Sequence, residues 1–164
     1  ELEKEKYLMD ALMDNVPEFI YFKDLKSKFI KNSTSHARQF GFSNGTEICG
    51  KSDFDFFADE HARPAYNNEQ KIIKTGKPII NRVEKKVRKD GSVSWVSTSK
   101  MPLKNKQGKI VGTFGISKDI TDIKNMEFGI KQKLEENEKM KKEFQQKEAE
   151  LKKSIQELRQ KLKK

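Results

Sequence analysis

Aromatic residues and prolines are confined to the front of this chain, and that segregation decides what the chain can fold into. Eight of the eleven Phe lie between Phe19 and Phe57, and all four Pro lie at or before Pro102. Residues 124–164 hold 13 Lys/Arg, 8 Asp/Glu, one Gly and no Pro. With 34% hydrophobic and 37% charged residues over 164 positions, the whole length cannot bury itself in one globule. The distribution predicts three parts: an amphipathic lead-in helix over residues 1–17, a compact domain over 18–121, and a long charged helix over 122–164.

The tail repeats every seven residues. One row holds Ile130, Asn137, Phe144, Leu151 and Leu158, the other Leu134, Lys141, Glu148, Ile155 and Leu162. A solvated single helix has no use for that spacing, whereas two helices winding about each other require it. The expectation is a homodimer held by Ile130, Leu134, Phe144, Leu151, Ile155, Leu158 and Leu162. The polar trio Asn137, Lys141 and Glu148 weakens the first half of such a coil.

The net charge of +10 is shared equally between residues 1–123 and residues 124–164, and in the tail Lys is interleaved with Glu as on the outside of a coil. A basic-zipper arm would need an acid-free basic block, so no nucleic-acid partner is expected. The single Cys49 excludes an intramolecular disulfide and fits a reducing, cytoplasmic setting. No apolar run approaches the ~18–20 residues of a membrane span, so no membrane contact is expected, and no signal peptide is recognisable. Because the chain starts without Met and stops within a helical pattern at Lys163-Lys164, a segment of a longer protein is expected.

Local signals order the front part. Residues 2–15 carry apolar positions at helical spacing, and Pro17 closes that helix. Residues 18–23 (EFIYFK) and 28–31 (KFIK) flank a polar turn and read as a hairpin. Short helices follow over residues 34–40 and 46–49. A longer helical region opens at Ser52 or Asp53, breaks once before Asp59, and stops at Thr75-Gly76-Lys77-Pro78. Pro64 is expected in the first turn of its second piece. Strands over residues 79–89, 92–104 and 109–120 come last, the first two joined by a two-residue turn at Asp90-Gly91. Five antiparallel strands with helices in the middle make an α+β domain.

These stretches, in this order, resemble a PAS domain. The likeness runs from Asp14 to Thr121 through FIYFKDLKSKFIK at residues 19–31, GKSDFDFF at 50–57, TGKP at 75–78, KDGS at 89–92 with Trp95-Val96, and GTFGISKDIT at 112–121. The resemblance implies a PAS-like five-stranded antiparallel sheet with flanking helices over one face and a small-molecule pocket between. It further implies a sensor module feeding a C-terminal effector in the same chain, such as a histidine kinase, a cyclase or a chemoreceptor.

Several chemistries can be weighed against single residues. The light-sensing branch needs a Cys where this chain has Asp53, and the oxygen-sensing branch needs a His close to Ala65, so neither flavin nor haem is expected. His61 is read as exposed, His36 as a plain helix residue, and Cys49 as a small buried residue. Asp53/Asp55 and Asp59/Glu60 are read as helix caps rather than acid–base pairs. His and Cys lack metal-ligand spacing, so no metal and no catalytic set are expected.

Period-two alternation sets Val96, Thr98 and Lys100 opposite Trp95 on one strand, and Thr113 and Ser117 opposite Phe114 and Ile116 on the next; the resemblance joins the first-named sets into one face and the others into a second. By resemblance the first face lines the pocket, opposite Tyr21, Phe57 and Ile72, and suits an unknown small molecule with a polar end. The alternative is an interior filled by its own aromatic side chains, a structural dimerisation module without ligand. The second face would pack on the lead-in helix or a partner. Signal transfer is expected through Asp119, Ile120 and Thr121, with Thr121 as the N-cap of the output helix.

Overall fold

A computed structural model describes residues 1–162; Lys163 and Lys164, where the tail helix was expected to end, lie outside the described residues. The described residues form two compact units, residues 1–121 and residues 122–162.

In the first unit, helix α1 (Leu2–Asn15) precedes strands β1 (Phe19–Asp24) and β2 (Phe29–Asn32). Helix α2 (Thr34–Arg38), a 3-10 turn (Gly45–Ile48), α3 (Asp53–Phe56) and α4 (Asp59–Thr75) follow, then β3 (Ile79–Val87), β4 (Val93–Lys104) and β5 (Ile110–Asp119). The strands form one antiparallel sheet in the order β2-β1-β5-β4-β3. Alternation decides the faces as expected: Val96, Thr98, Lys100, Thr113 and Ser117 are buried, while Trp95 and Phe114 are half-buried and Ile116 is exposed. Ala62, Ala65, Glu69 and Ile72, spaced by three and four, form the buried face of α4.

All three hairpins use a longer loop than the two-residue turn expected at Asp90-Gly91. Arg88 N–H donates to the Ser92 carbonyl and Gly91 N–H to that of Arg88, so three residues form the loop. The same bonds recur at Asp24–Lys28 and Asn105–Lys109. Each loop ends on a residue with positive φ: Gly91 (84°), Gly108 (77°) and Ser27 (60°). This third position must be left-handed to rejoin the ladder, which is why glycine recurs there. The Asp24, Asp90 and Asn105 side chains each accept a backbone N–H inside their own loop.

Four local expectations are corrected. Pro64 lies inside α4, beyond its first turn, because the helix already starts at Asp59; the ring sits on the exposed side. Cys49 is exposed, since Ile48 takes the buried position and the thiol turns toward the Ile30 carbonyl. His61 is buried at 8% exposure and meets the Phe57 ring edge-on at 4.7 Å. Helix α1 does not cover the Trp95 face. It packs beside α2 and β2 instead, burying Met13 and placing Asp10 on Lys31 and Asp14 on Thr34.

The second unit is helix α5 (Thr121–Lys161) from Asp122 onward, and none of its described residues is buried. The expected coil residues Ile130, Leu134, Phe144, Leu151, Ile155, Leu158 and Leu162 are all exposed in the single chain.

Candidate functional site

The inner face of the sheet is unusually charged. Lys23 on β1 projects to the same side as Tyr21, two residues away, and its ammonium donates to Asp53 at 2.6 Å and to Glu69 at 2.8 Å. Lys100 on β4 donates to the same Glu69 oxygen at 3.2 Å. Glu69 is fully buried, and its second oxygen has no partner among the described residues. A third lysine, Lys86 on β3, is 5% exposed and lies over the rings of Phe57 (5.2 Å) and Phe19 (5.4 Å).

A cavity of about 10 Å³ sits among these groups, room for roughly one water. Tyr21, Thr98, Lys100 and Ser117 line it, joined by His36, Asp53, His61, Ala65, Glu84 and Lys86. The hydroxyls of Thr98 and Ser117 bond each other at 2.8 Å. Four expected pocket residues do not line it. Phe57 packs on Phe40 and His61, while Ile72, Val96 and Thr113 are buried in the surrounding core. Asp53 turned out to be more than a cap: Asp55 completes the capping box with Ser52, which frees Asp53 to pair with Lys23. A wider, open groove of about 450 Å³ between α1, β2 and the 3-10 turn lacks any such buried charge cluster.

Burial and charge set the protonation states. Burial disfavours the Lys23 ammonium, but Asp53 and then Glu69 outweigh it and hold Lys23 above the ordinary lysine value. Burial likewise opposes charge on Lys100, and the Tyr21 oxygen, then Glu69 and Asp53, overcome it, so Lys100 is raised. Asp53 is pushed up by burial yet held well below the carboxylate range by Lys23. Lys86 is lowered to about 8 by burial, with Lys100 repelling it and Asp53 offsetting part. Burial and then Lys86 lower His61 to about 4 and hold His36 well below its usual value, so both imidazoles are neutral at pH 7. Burial raises the Tyr21 phenol.

At the end of β5 the expected junction residues do cluster, with their bonds redistributed. Asp119 accepts the N–H of Thr121, and Ile120 donates to the Trp95 carbonyl on β4. Thr121 is the first residue of α5, and its hydroxyl accepts from Trp95 N–H at 2.9 Å. The hydroxyl therefore ties the helix start to β4 instead of capping the helix; the capping carboxylate is that of Asp119.

Lys23, Glu69, Lys86 and His61 were missed in the sequence. The one available signal was Glu69, an acid placed on the 62/65/72 stripe of α4, where an apolar residue belongs.

A family model described as PAS fold matches residues 13–125, and the chain belongs to that family. It is 28% identical over 114 residues to the methanogenesis regulatory histidine kinase FilI of Methanothrix harundinacea, spanning 70% of this chain and 12% of that protein. It is 22% identical over 117 residues to a diguanylate cyclase of Vibrio cholerae, spanning 71% of this chain and 36% of that protein. Among solved structures, the VqmA dimer of Vibrio cholerae superimposes with a TM-score of 0.62 at 24% identity, over 71% of this chain and 52% of that one. The PAS domain of a Colwellia psychrerythraea protein gives 0.59 at 18% identity, over 74% and 99%. The chain is thus a PAS domain of the kind found in signalling proteins, followed by a long helix.

Proposed function

We propose that this chain is a signal-input module in which a small molecule taken up beneath α4 biases α5 and, through it, a C-terminal effector such as a histidine kinase. One observation carries the reading. The interior gathers Lys86, Lys100, Asp53, Glu84, two neutral imidazoles, the Tyr21 phenol and two hydroxyls around one cavity, with Lys23 and Glu69 ion-paired beside it. A sheet that only needed covering would bury apolar side chains there at far lower desolvation cost. Thr98 and Ser117 belong to neighbouring strands that lead to the Trp95–Thr121 bond, so a change in the cavity has a short covalent route to the start of α5.

The coil residues make the working unit a parallel homodimer in this reading, in a cytoplasmic setting. No helix of the described residues is long and apolar enough to cross a membrane. No catalytic role, metal, haem or flavin is assigned to the chain, and effector chemistry is placed elsewhere in the polypeptide.

A second reading is a ligand-free dimerisation module, favoured by the cavity's small volume of about 10 Å³. Extraction of the purified protein followed by mass spectrometry and absorbance separates the two. A stoichiometric small molecule without haem or flavin bands supports the sensor. An empty protein that gains no stability from any member of a metabolite panel supports the scaffold.

A further inference from the structure

Two buried N–H donors are left without partners in the wall of one cleft. Gln39 Nε2 and Arg88 Nε make no hydrogen bond among the described residues, although neither atom is open to water. No ion pair among the described residues includes Arg88 either. An unpaired buried donor carries the full desolvation cost of its group, so two in one place call for a cause. Local structure holds them there. Gln39 is the C-cap residue of α2, and Arg88 continues β3 into its loop, bridging Phe57 and donating its backbone N–H to the Ser92 carbonyl.

The cleft is open, about 330 Å³ in volume, and lies between the end of α2, α3 and the β3–β4 loop. It shares no lining residue with the cavity under α4. Its apolar part is Phe40 and Phe56, half-buried rings stacked at 4.1 Å. Its two carboxylates each accept a bond within their own segment, Asp55 from Ser52 and Asp90 from Ser92. Both are exposed, and a carboxylate has more lone pairs than these bonds use. Arg88 and Lys89 balance Asp55 and Asp90, so the lining has no net charge and favours neither a free anion nor a free cation.

Spare donors, spare carboxylate lone pairs and stacked rings on a neutral lining match a ligand made of amides and an aromatic group. Each amide unit brings one acceptor, one donor and no charge. We propose that this cleft docks an extended peptide segment of another protein. The segment's carbonyls accept from Gln39 and Arg88, its N–H groups donate to Asp55 and Asp90, and an aromatic side chain packs on Phe40 and Phe56. Both donors sit on long side chains, so a turn about the outer torsions points them at the segment. The free domain carries two unpaired donors and the complex none, and that difference favours docking. The site works whether or not the inner cavity holds a molecule.

The probe is N-acetyl-phenylalanine methylamide, two amides and one ring, titrated into the nitrogen-15-labelled whole chain. The readout is the side-chain amide signal of Gln39 and the Nε–H signal of Arg88, and saturable shifts of both are expected. N-acetyl-alanine methylamide lacks the ring, and 3-phenylpropionate has a carboxylate in place of the amides. Each should bind at least about fivefold more weakly, as the loss of one such contact implies. Gln39→Leu and Arg88→Met weaken the probe by a similar factor, read at the remaining donor. Both variants keep or raise the denaturation midpoint, because each removes an unpaired buried donor. A donor with a structural partner would move the midpoint the other way. Arg88→Lys keeps the charge but loses the planar fork, and it binds like Arg88→Met.

Absence of shifts at both donor signals, or 3-phenylpropionate binding as well as the peptide mimic, overturns the peptide assignment. A lowered midpoint in both Gln39→Leu and Arg88→Met overturns it too, since the donors are then satisfied within the free protein. Shifts of the same signals on adding unlabelled chain assign the cleft to a second copy and overturn its assignment to another protein. Each outcome leaves the sensor reading standing, because extraction reads the inner cavity separately.

Discussion

Glu69→Leu isolates the energetic logic of the buried charges. Leucine fills most of the glutamate's volume, so the loss is chiefly electrostatic: Lys100 is left buried without its carboxylate at 3.2 Å, while Lys23 retains Asp53 at 2.6 Å. Removing one partner of a buried ion pair costs about 3–5 kcal/mol. For a domain of this size that is on the order of 10–20 °C in Tm. Adding Lys100→Met removes the stranded cation, and full apolar replacement of a buried pair is often neutral. The double variant should therefore recover most of the loss, leaving it within about 1–2 kcal/mol of the parent. Urea denaturation of the four proteins, followed by tryptophan fluorescence from Trp95, measures the cycle. If Glu69→Leu costs under about 1 kcal/mol, or if the two substitutions simply add, the pair is not the buried, coupled unit described here.

Other consequences follow from the same geometry. Lys86 holds its proton less tightly folded (about 8) than unfolded (about 10.4), so between those values the unfolded chain binds more protons and stability rises with pH. Denaturation at pH 7.5 and pH 10 should show a gain of about 2 kcal/mol attributable to this group, absent in Lys86→Met. His61, about 4 folded against about 6.5 unfolded, gives stability present above pH 6.5 and lost as pH falls toward 4; His61→Phe should flatten that slope. A Cβ at Gly115 would run into the Tyr21 ring, so Gly115→Ala should cost about 1–3 kcal/mol, with Tyr21→Val relieving much of it in the double variant. Leu151→Lys with Leu158→Lys places charge on the apolar row of α5; sedimentation should show a monomer where the parent is a dimer, and an unchanged dimer would remove the coil from the account.

Much of the fold was legible because its signals are local and periodic. Val93 to Lys104 and Ile110 to Asp119 alternate with period two, the aromatic and β-branched runs at Phe19–Asp24 and Phe29–Asn32 flank a polar turn, and Gly76 followed by Pro78 stops α4 where expected. The loop at Asp90-Gly91 was misjudged by one residue because Asp-Gly serves a two-residue turn and a three-residue loop alike. The sheet face was legible as well, which is why Tyr21, Thr98, Lys100 and Ser117 meet at the cavity. The charge cluster was not. Lys23 is a lone lysine in an aromatic strand and Lys86 stands beside Lys85, and only the closure of α4 over the sheet distinguishes a buried lysine from a solvated one. His61 and Cys49 were misassigned for a related reason. A single polar or small residue carries no periodicity, so its side is decided by the packing of others.

In the proposed sensor, β4, β5 and the start of α5 act as one coupled element. Its most direct measurement is the output of a fusion of residues 1–164 to a histidine-kinase core, with and without the molecule extracted from the purified protein. Thr121→Val removes the hydroxyl that accepts from Trp95, and Asp119→Ala removes the carboxylate that accepts from Thr121. Each loses about 0.5–2 kcal/mol, so the domain stays folded. Normal thermal melts are expected, with kinase output that no longer responds to the molecule in either variant. Full, stimulus-dependent output in both would contradict it, leaving the Trp95–Thr121–Asp119 junction a passive connection.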